Sequence, residues 1–115
     1  AQIALTFQRF VHGEQVPMIA LHQLSRAVET AKPYRPSMAH LRDSGQVEAN
    51  AHLVWLLYRR QYYVDQGMLD PDEAEESTME IIIAKNRDGD NGLVKVHFDG
   101  STARVRAMGG DRWVA

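Results

Sequence analysis

Apolar residues recur at three- and four-residue steps from Ala1 to about Gly13, where Ile3, Ala4, Phe7, Phe10 and Val11 share one helical face. This spacing predicts an amphipathic helix that stops at Gly13. The period then changes. Val16-Pro17-Met18-Ile19-Ala20-Leu21 is short and continuously apolar, the signature of a strand buried on both faces, and polar His22, Gln23, Ser25 and Arg26 follow it. Ala27 to His40, with Pro33 and Pro36 around Tyr34-Arg35, is expected to be an irregular loop. Asp43 or Ser44 is placed to cap a short helix running to about Ala51.

His52-Leu53-Val54-Trp55-Leu56-Leu57-Tyr58 is a second apolar run and predicts a second core strand, with Arg59-Arg60-Gln61-Tyr62-Tyr63 at its end. Met79 to Lys85 is rich in β-branched residues, and Leu93 to Phe98 alternates apolar with polar, so the two should pair as a hairpin. The connection from Asn86 to Gly92 is dense in turn formers, including Asn91-Gly92. Thr102 to Arg106 suggests one more edge strand, and residues 107–115 a loose tail around Gly109-Gly110. The order of elements describes an α/β domain that closes in a C-terminal β-hairpin.

The chain has 115 residues, which allows one core and excludes a two-domain enzyme. It contains no Cys, which excludes disulfides, thiolate nucleophiles and Cys-ligated zinc and makes a cytoplasmic setting the default. No apolar stretch approaches the roughly 18 residues of a membrane span, so no membrane partner is expected. The net charge of −2 hides a segregation: 13 Lys and Arg face 15 Asp and Glu, and seven of those acids lie between Asp65 and Glu80 with no base among them. The remainder therefore carries 13 bases against eight acids, about +5, and ten of its bases are Arg, the better residue for bidentate contact with phosphate. Residues 64–78 are expected to form an acidic surface loop, with a short helix capped by Asp70.

Candidate chemistry is sparse by type. The five His residues show no metal-ligand spacing, and no metal site is expected. Asp88-Gly89-Asp90-Asn91-Gly92 resembles a calcium loop only superficially, because Gly92 occupies a ligating position and no Glu closes the loop. Ser44 lacks a nucleophile elbow and a base. Neither Gly-x-x-x-x-Gly-Lys-Ser/Thr nor Gly-x-Gly-x-x-Gly occurs, so these residues alone cannot form a complete nucleotide site and should be inactive. Basic residues at loop positions remain, Arg42 and the Lys85-Asn86-Arg87 triplet, placed where they could complete a phosphate site on a neighbour. Gln23 is a candidate by its place at the end of the first apolar run.

Taken together, Pro17 to Arg26, Leu41-Arg42-Asp43-Ser44-Gly45, Leu53 to Tyr58 and Ile81 to Arg87 resemble the bacterial replicative DNA helicases of the DnaB type. The resemblance runs from about Val16 to Arg106 and covers only the C-terminal part of that family's RecA-like motor domain. It implies a partial RecA-like (P-loop NTPase type) sheet with helices, lacking the phosphate-loop strand, with residues 1–115 forming the C-terminal portion of the motor. The phosphate loop, the acidic Mg²⁺-binding strand and the N-terminal domain are expected upstream of Ala1. A gap is then expected between the strands near Val16–Leu21 and His52–Tyr58, so that the isolated chain either closes the gap unnaturally or exchanges strands with another copy.

The resemblance also implies roles. Gln23 would sense the γ-phosphate; Arg42, Asp43 and Gly45 would hold single-stranded DNA; Lys85 would meet the γ-phosphate bound to a neighbouring subunit, and Arg87 would be the trans-acting arginine finger. The implied activity is ATP-driven DNA unwinding by a homo-hexamer that uses ATP and Mg²⁺, with primase and helicase loader as partners. A non-catalytic module that inserts into helicase rings is the second reading. The sequence departs from the family pattern at Asn50 and His52, where acids are usual, and at Asp90, where Pro is common.

Overall fold

The computed structural model describes residues 2–108. The first helix, α1, spans Gln2–Glu14. It runs past Gly13 and ends where Gln15 takes a positive φ of 56°. From Val16 to Ser25 the chain takes no regular structure and pairs with no strand among the described residues, so the strand expected at Val16–Leu21 is not formed. Ile19 is 90% and Leu21 95% exposed. The reason is physical: an apolar run becomes a strand only where another strand offers its N–H and C=O groups, and none of the four strands present lies against this segment. Leu24 re-enters the core, and the Ser25 N–H donates to the His40 carbonyl at 3.0 Å.

The expected loop from Ala27 to His40 is more ordered than its prolines suggest. A 3₁₀ helix covers Arg26–Thr30, opened by the Ser25 hydroxyl accepting from the Ala27 N–H, and a second covers Met38–Ser44. The second leads directly into α2, Gly45–Asn50. Strand β1 follows at Leu53–Tyr58, then α3 at Arg60–Asp65. Strands β2 (Thr78–Asn86), β3 (Gly92–Asp99) and β4 (Arg104–Ala107) complete an antiparallel sheet in the order β1-β2-β3-β4. The hairpin, the extra edge strand and the short helix before β1 appear as expected. The sheet has no internal gap, because the first of the two flanking strands is absent.

Only one face of β1 is covered. Val54, Leu56 and Tyr58 are buried, whereas Leu53, Trp55 and Leu57 are more than half exposed, so the expected core strand is covered on one face only among the described residues. Leu41, Val54 and Leu56 form the core, joined by Leu24, Met38, Ala51, Ile82 and Ala84. At the other end of the same face a polar and aromatic cluster anchors residues 31–37. Arg35 donates to both carboxylate oxygens of Glu80, at 2.6 and 3.0 Å, and lies 5.2 Å from the Tyr58 ring centroid. The Tyr58 hydroxyl donates to the Pro33 carbonyl at 2.6 Å, and the Tyr34 ring packs 4.9 Å from that of Tyr63. These contacts hold Tyr34 at φ 66°, a left-handed conformation that costs on the order of 1–2 kcal/mol. Burial first, then the negative charge of Glu29, raises the Tyr63 phenol above its ordinary value.

The acidic stretch is partly spent inside the fold. Asp70 and Glu73 form a reciprocal capping box on a 3₁₀ turn at Pro71–Glu73, and Glu75 meets Arg60 at 3.5 Å. Asp99 accepts from the Ser101 hydroxyl and N–H, which lowers its carboxyl below the usual range and closes the turn into β4. The part of the expected tail from Gly109 to Ala115 lies outside the described residues. Glu80→Gln should weaken the fold by about 1–2 kcal/mol rather than the larger penalty of a fully buried pair, because water reaches Arg35. The Arg35 side chain is 39% exposed. Urea midpoints of the parent and variant chains check this, and an unchanged midpoint would exclude Arg35–Glu80 as an anchor.

Candidate functional site

Side chains alternate between the two faces of a strand, and residues paired across an antiparallel ladder share a face. Leu56 faces Ile82 and Tyr58 faces Glu80, so Glu80, Ile82 and Ala84 belong to the covered face. Strict alternation would turn Lys85 to the opposite face. The register instead steps between Val54 and Trp55: Trp55 pairs with Ile83, and Val54 with Lys85, so β2 carries one extra residue at Ala84. This β-bulge turns Lys85 to the covered face, and Arg87 follows it two residues later.

There both cations meet the last turn of α2. The Lys85 ammonium donates to the Glu48 carbonyl at 2.7 Å and to that of Ala49 at 3.3 Å. The Arg87 guanidinium donates to the Ala49 carbonyl at 3.5 Å. Helix C-terminal carbonyls lack partners within the helix and carry partial negative charge, so they attract cations. The Arg87 backbone N–H donates to the His52 carbonyl at 3.0 Å, which extends the β1–β2 ladder past its end and fixes the triplet. Among the described residues neither cation is ion-paired with a carboxylate, and Arg87 is exposed. A cavity of about 430 Å³ lined by Met38, Glu48, Ala49, Ala84 and Lys85 opens beside them.

The other candidates occupy neighbouring elements. Leu41, 6% exposed, anchors its motif in the core; Arg42 and Asp43 lie in the 3₁₀ segment leading to α2, and Gly45 is the first residue of that helix. The side chains of Arg42 and Asp43 lie outside the described residues. Thus the DNA-loop candidates begin the helix whose far end Lys85 and Arg87 grip. Gln23 is exposed, one residue before the anchor Leu24, and follows a segment without regular structure rather than the strand expected for it. No hydrogen bond among the described residues joins it to Lys85 or Arg87.

The sequence did not single out Glu48 and Ala49 as the acceptors, since a carbonyl carries no residue-type signal. Nor did it single out Arg59, whose guanidinium carbon lies 4.1 Å from the Phe98 ring centroid, because nothing local links residues so far apart. Arg60 is raised above its ordinary value, first by a hydrogen bond with Tyr58 and against the effect of burial. Among the described residues no three His, Asp or Glu cluster so as to hold a metal ion, and no helix is long and apolar enough to cross a membrane.

An α/β domain with a cation-bearing strand end beside a loop-and-helix motif is the class defined so far. The profile of the family described as the DnaB-like helicase C-terminal domain matches residues 1–107, and the chain belongs to that family. It is 45% identical over 98 residues to the replicative DNA helicase DnaC of Bacillus subtilis and 39% identical over 98 residues to the replicative DNA helicase DnaB of Geobacillus stearothermophilus. Each alignment covers 85% of this chain and 20% of the relative, so the chain spans about a fifth of the length of these proteins. One solved ATPase domain superposes with a TM-score of 0.82 at 36% identity, covering 93% of this chain and 36% of that one. A DnaB-like replicative helicase, solved in work on its interactions with primase, superposes with a TM-score of 0.83 at 36% identity. It is covered over 24% of its length, and this chain over 93%.

Deleting Ala84 should restore regular alternation and turn Lys85 to the outer face. Nuclear Overhauser contacts between the Lys85 ε-protons and residues Glu48 and Ala49 should then vanish while the β2–β3 ladder persists. If those contacts survived the deletion, the bulge would not be what orients Lys85.

Proposed function

We propose that these residues form part of the motor of an ATP-driven replicative DNA helicase that works as a homo-hexameric ring. The observation that carries this reading is the pair Lys85 and Arg87, brought to one face at the end of β2 and left without a carboxylate partner among the described residues. Cations placed so can meet the γ-phosphate of a nucleotide bound to a neighbouring subunit, with Arg87 as the finger that stabilises charge developing in phosphoryl transfer. Gln23 acts as the γ-phosphate sensor. Arg42, Asp43 and Gly45 hold the backbone of single-stranded DNA, where Arg42 neutralises a phosphate and Gly45 lets its N–H approach closely. ATP and Mg²⁺ are held mainly by residues beyond this chain, which by itself hydrolyses nothing. Primase and a helicase loader are the protein partners of the ring, and the site of action is the cytoplasm.

Two substitutions in the assembled ring separate these roles. Arg87→Ala should lower ATP hydrolysis by about 10³-fold or more while rings still form. Hydrolysis that survived Arg87→Ala would remove the finger assignment. Arg42→Ala should instead weaken single-strand binding across all sequences and reduce the slope of log K against log salt by about 0.7, the loss of one phosphate contact. An unchanged slope would place Arg42 away from the DNA.

A further inference from the structure

Helix α2 is short, and what holds it is unusual. Its packing is chiefly against α1 and the preceding 3₁₀ segment rather than against the sheet. An open depression lined by Glu48 and Ala49 of the helix and by Ala84 and Lys85 of β2 lies beside the two elements. The polar ties between them are the Lys85 bonds to the Glu48 and Ala49 carbonyls and the longer Arg87 bond to Ala49. A helix whose ties to the sheet are two or three directional bonds shifts against the sheet more easily than one interlocked with it in a packed core.

An ammonium has three protons and one charge. Carbonyl dipoles satisfy it in the absence of anything stronger, but a phosphate oxygen with a full negative charge attracts it more. Lys is suited to such an exchange because its charge sits on a flexible four-carbon stem, whereas a guanidinium holds a fixed fork. We propose that Lys85 is a positioning residue that exchanges between two acceptors: the carbonyls of Glu48 and Ala49 when the neighbouring nucleotide site is empty, and the γ-phosphate when it is filled. The exchange releases the C-terminal end of α2, and the segment Arg42–Gly45 at its other end moves with it. Nucleotide bound to one subunit thereby sets the posture of the DNA loop in the next, through one side chain. This rests on the reading of Lys85 as a ligand of the neighbour's γ-phosphate and adds to it a second, competing role.

The test uses the assembled helicase, with ATP hydrolysis and single-strand affinity measured separately. Affinity for a fluorescent oligonucleotide is read by anisotropy without nucleotide and with adenylyl-imidodiphosphate. The parent ring should change affinity by at least about fivefold on adding the analogue, the usual lower range of a coupling between sites. In Lys85→Met, affinity without nucleotide should already equal the analogue-bound value of the parent, and the analogue should add almost nothing. Lys85→Arg, which keeps a charge able to reach both acceptors, should restore part of the response. If Lys85→Met fails to form rings, Lys85→Gln is compared in the same way.

A variant that loses hydrolysis yet keeps the parent's nucleotide-dependent DNA affinity would overturn the exchange and leave the phosphate contact standing. Unchanged hydrolysis and unchanged DNA response would remove both. A parent ring whose DNA affinity ignores the analogue would also overturn the exchange.

Discussion

The site depends on a broken rule of alternation. Along β2 each residue faces opposite to the last, and this parity would send Lys85 and Arg87 away from α2. One residue too many at Ala84 reverses the parity, and from there the cations face the helix instead of the bare side of the sheet. The bulge sits next to the core, where Ala84 packs beside Leu41, Val54 and Leu56, so its position is held by burial and not only by hydrogen bonding. Everything assembled around the triplet, from the α2 carbonyls to the cavity beside them, follows from that parity change.

The opposite end of the covered face solves a different problem. Residues 31–37 bury Tyr34 and Pro36 and are held by directional contacts as well: a bidentate ion pair to Glu80, a tyrosine hydroxyl on a carbonyl, and ring on ring. The acidic segment that looked on paper like a solvated surplus supplies Glu80 to these contacts and further partners nearby. Glu80 meets Arg35, Glu75 meets Arg60 and Glu73 closes a cap, so several of its charges are spent on holding local geometry.

What could be read in the chain divides by range. Period-two alternation and turn formers reveal the β2–β3 hairpin, and the Asp70 cap with Glu73 three residues on is visible as written, because these signals are local. The resemblance pointed to Lys85, Arg87 and the Arg42–Gly45 loop, and the structure sets the latter at the start of the helix that the former two grip. Burial is not local. Val16–Leu21 and the outer residues of β1 carry apolar side chains whether or not something covers them, so the text of the chain reads both as core, and among the described residues neither is. The bulge leaves no mark either: Ile-Ile-Ile-Ala-Lys gives no hint of which residue faces which way. Arg35 and Glu80, 45 positions apart, meet only through the fold.

The outer side of β1, uncovered by the described residues, gives the chain an optical gauge. Trp55 stands there 57% exposed between Leu53 and Leu57. An indole in water emits at longer wavelength than one in an apolar setting, so anything that settles on this face shifts the emission toward the blue and shields it from dissolved quenchers. The chain has a second indole at Trp113, so once that residue is replaced by phenylalanine, covering of the sheet can be followed as it happens and without a dye.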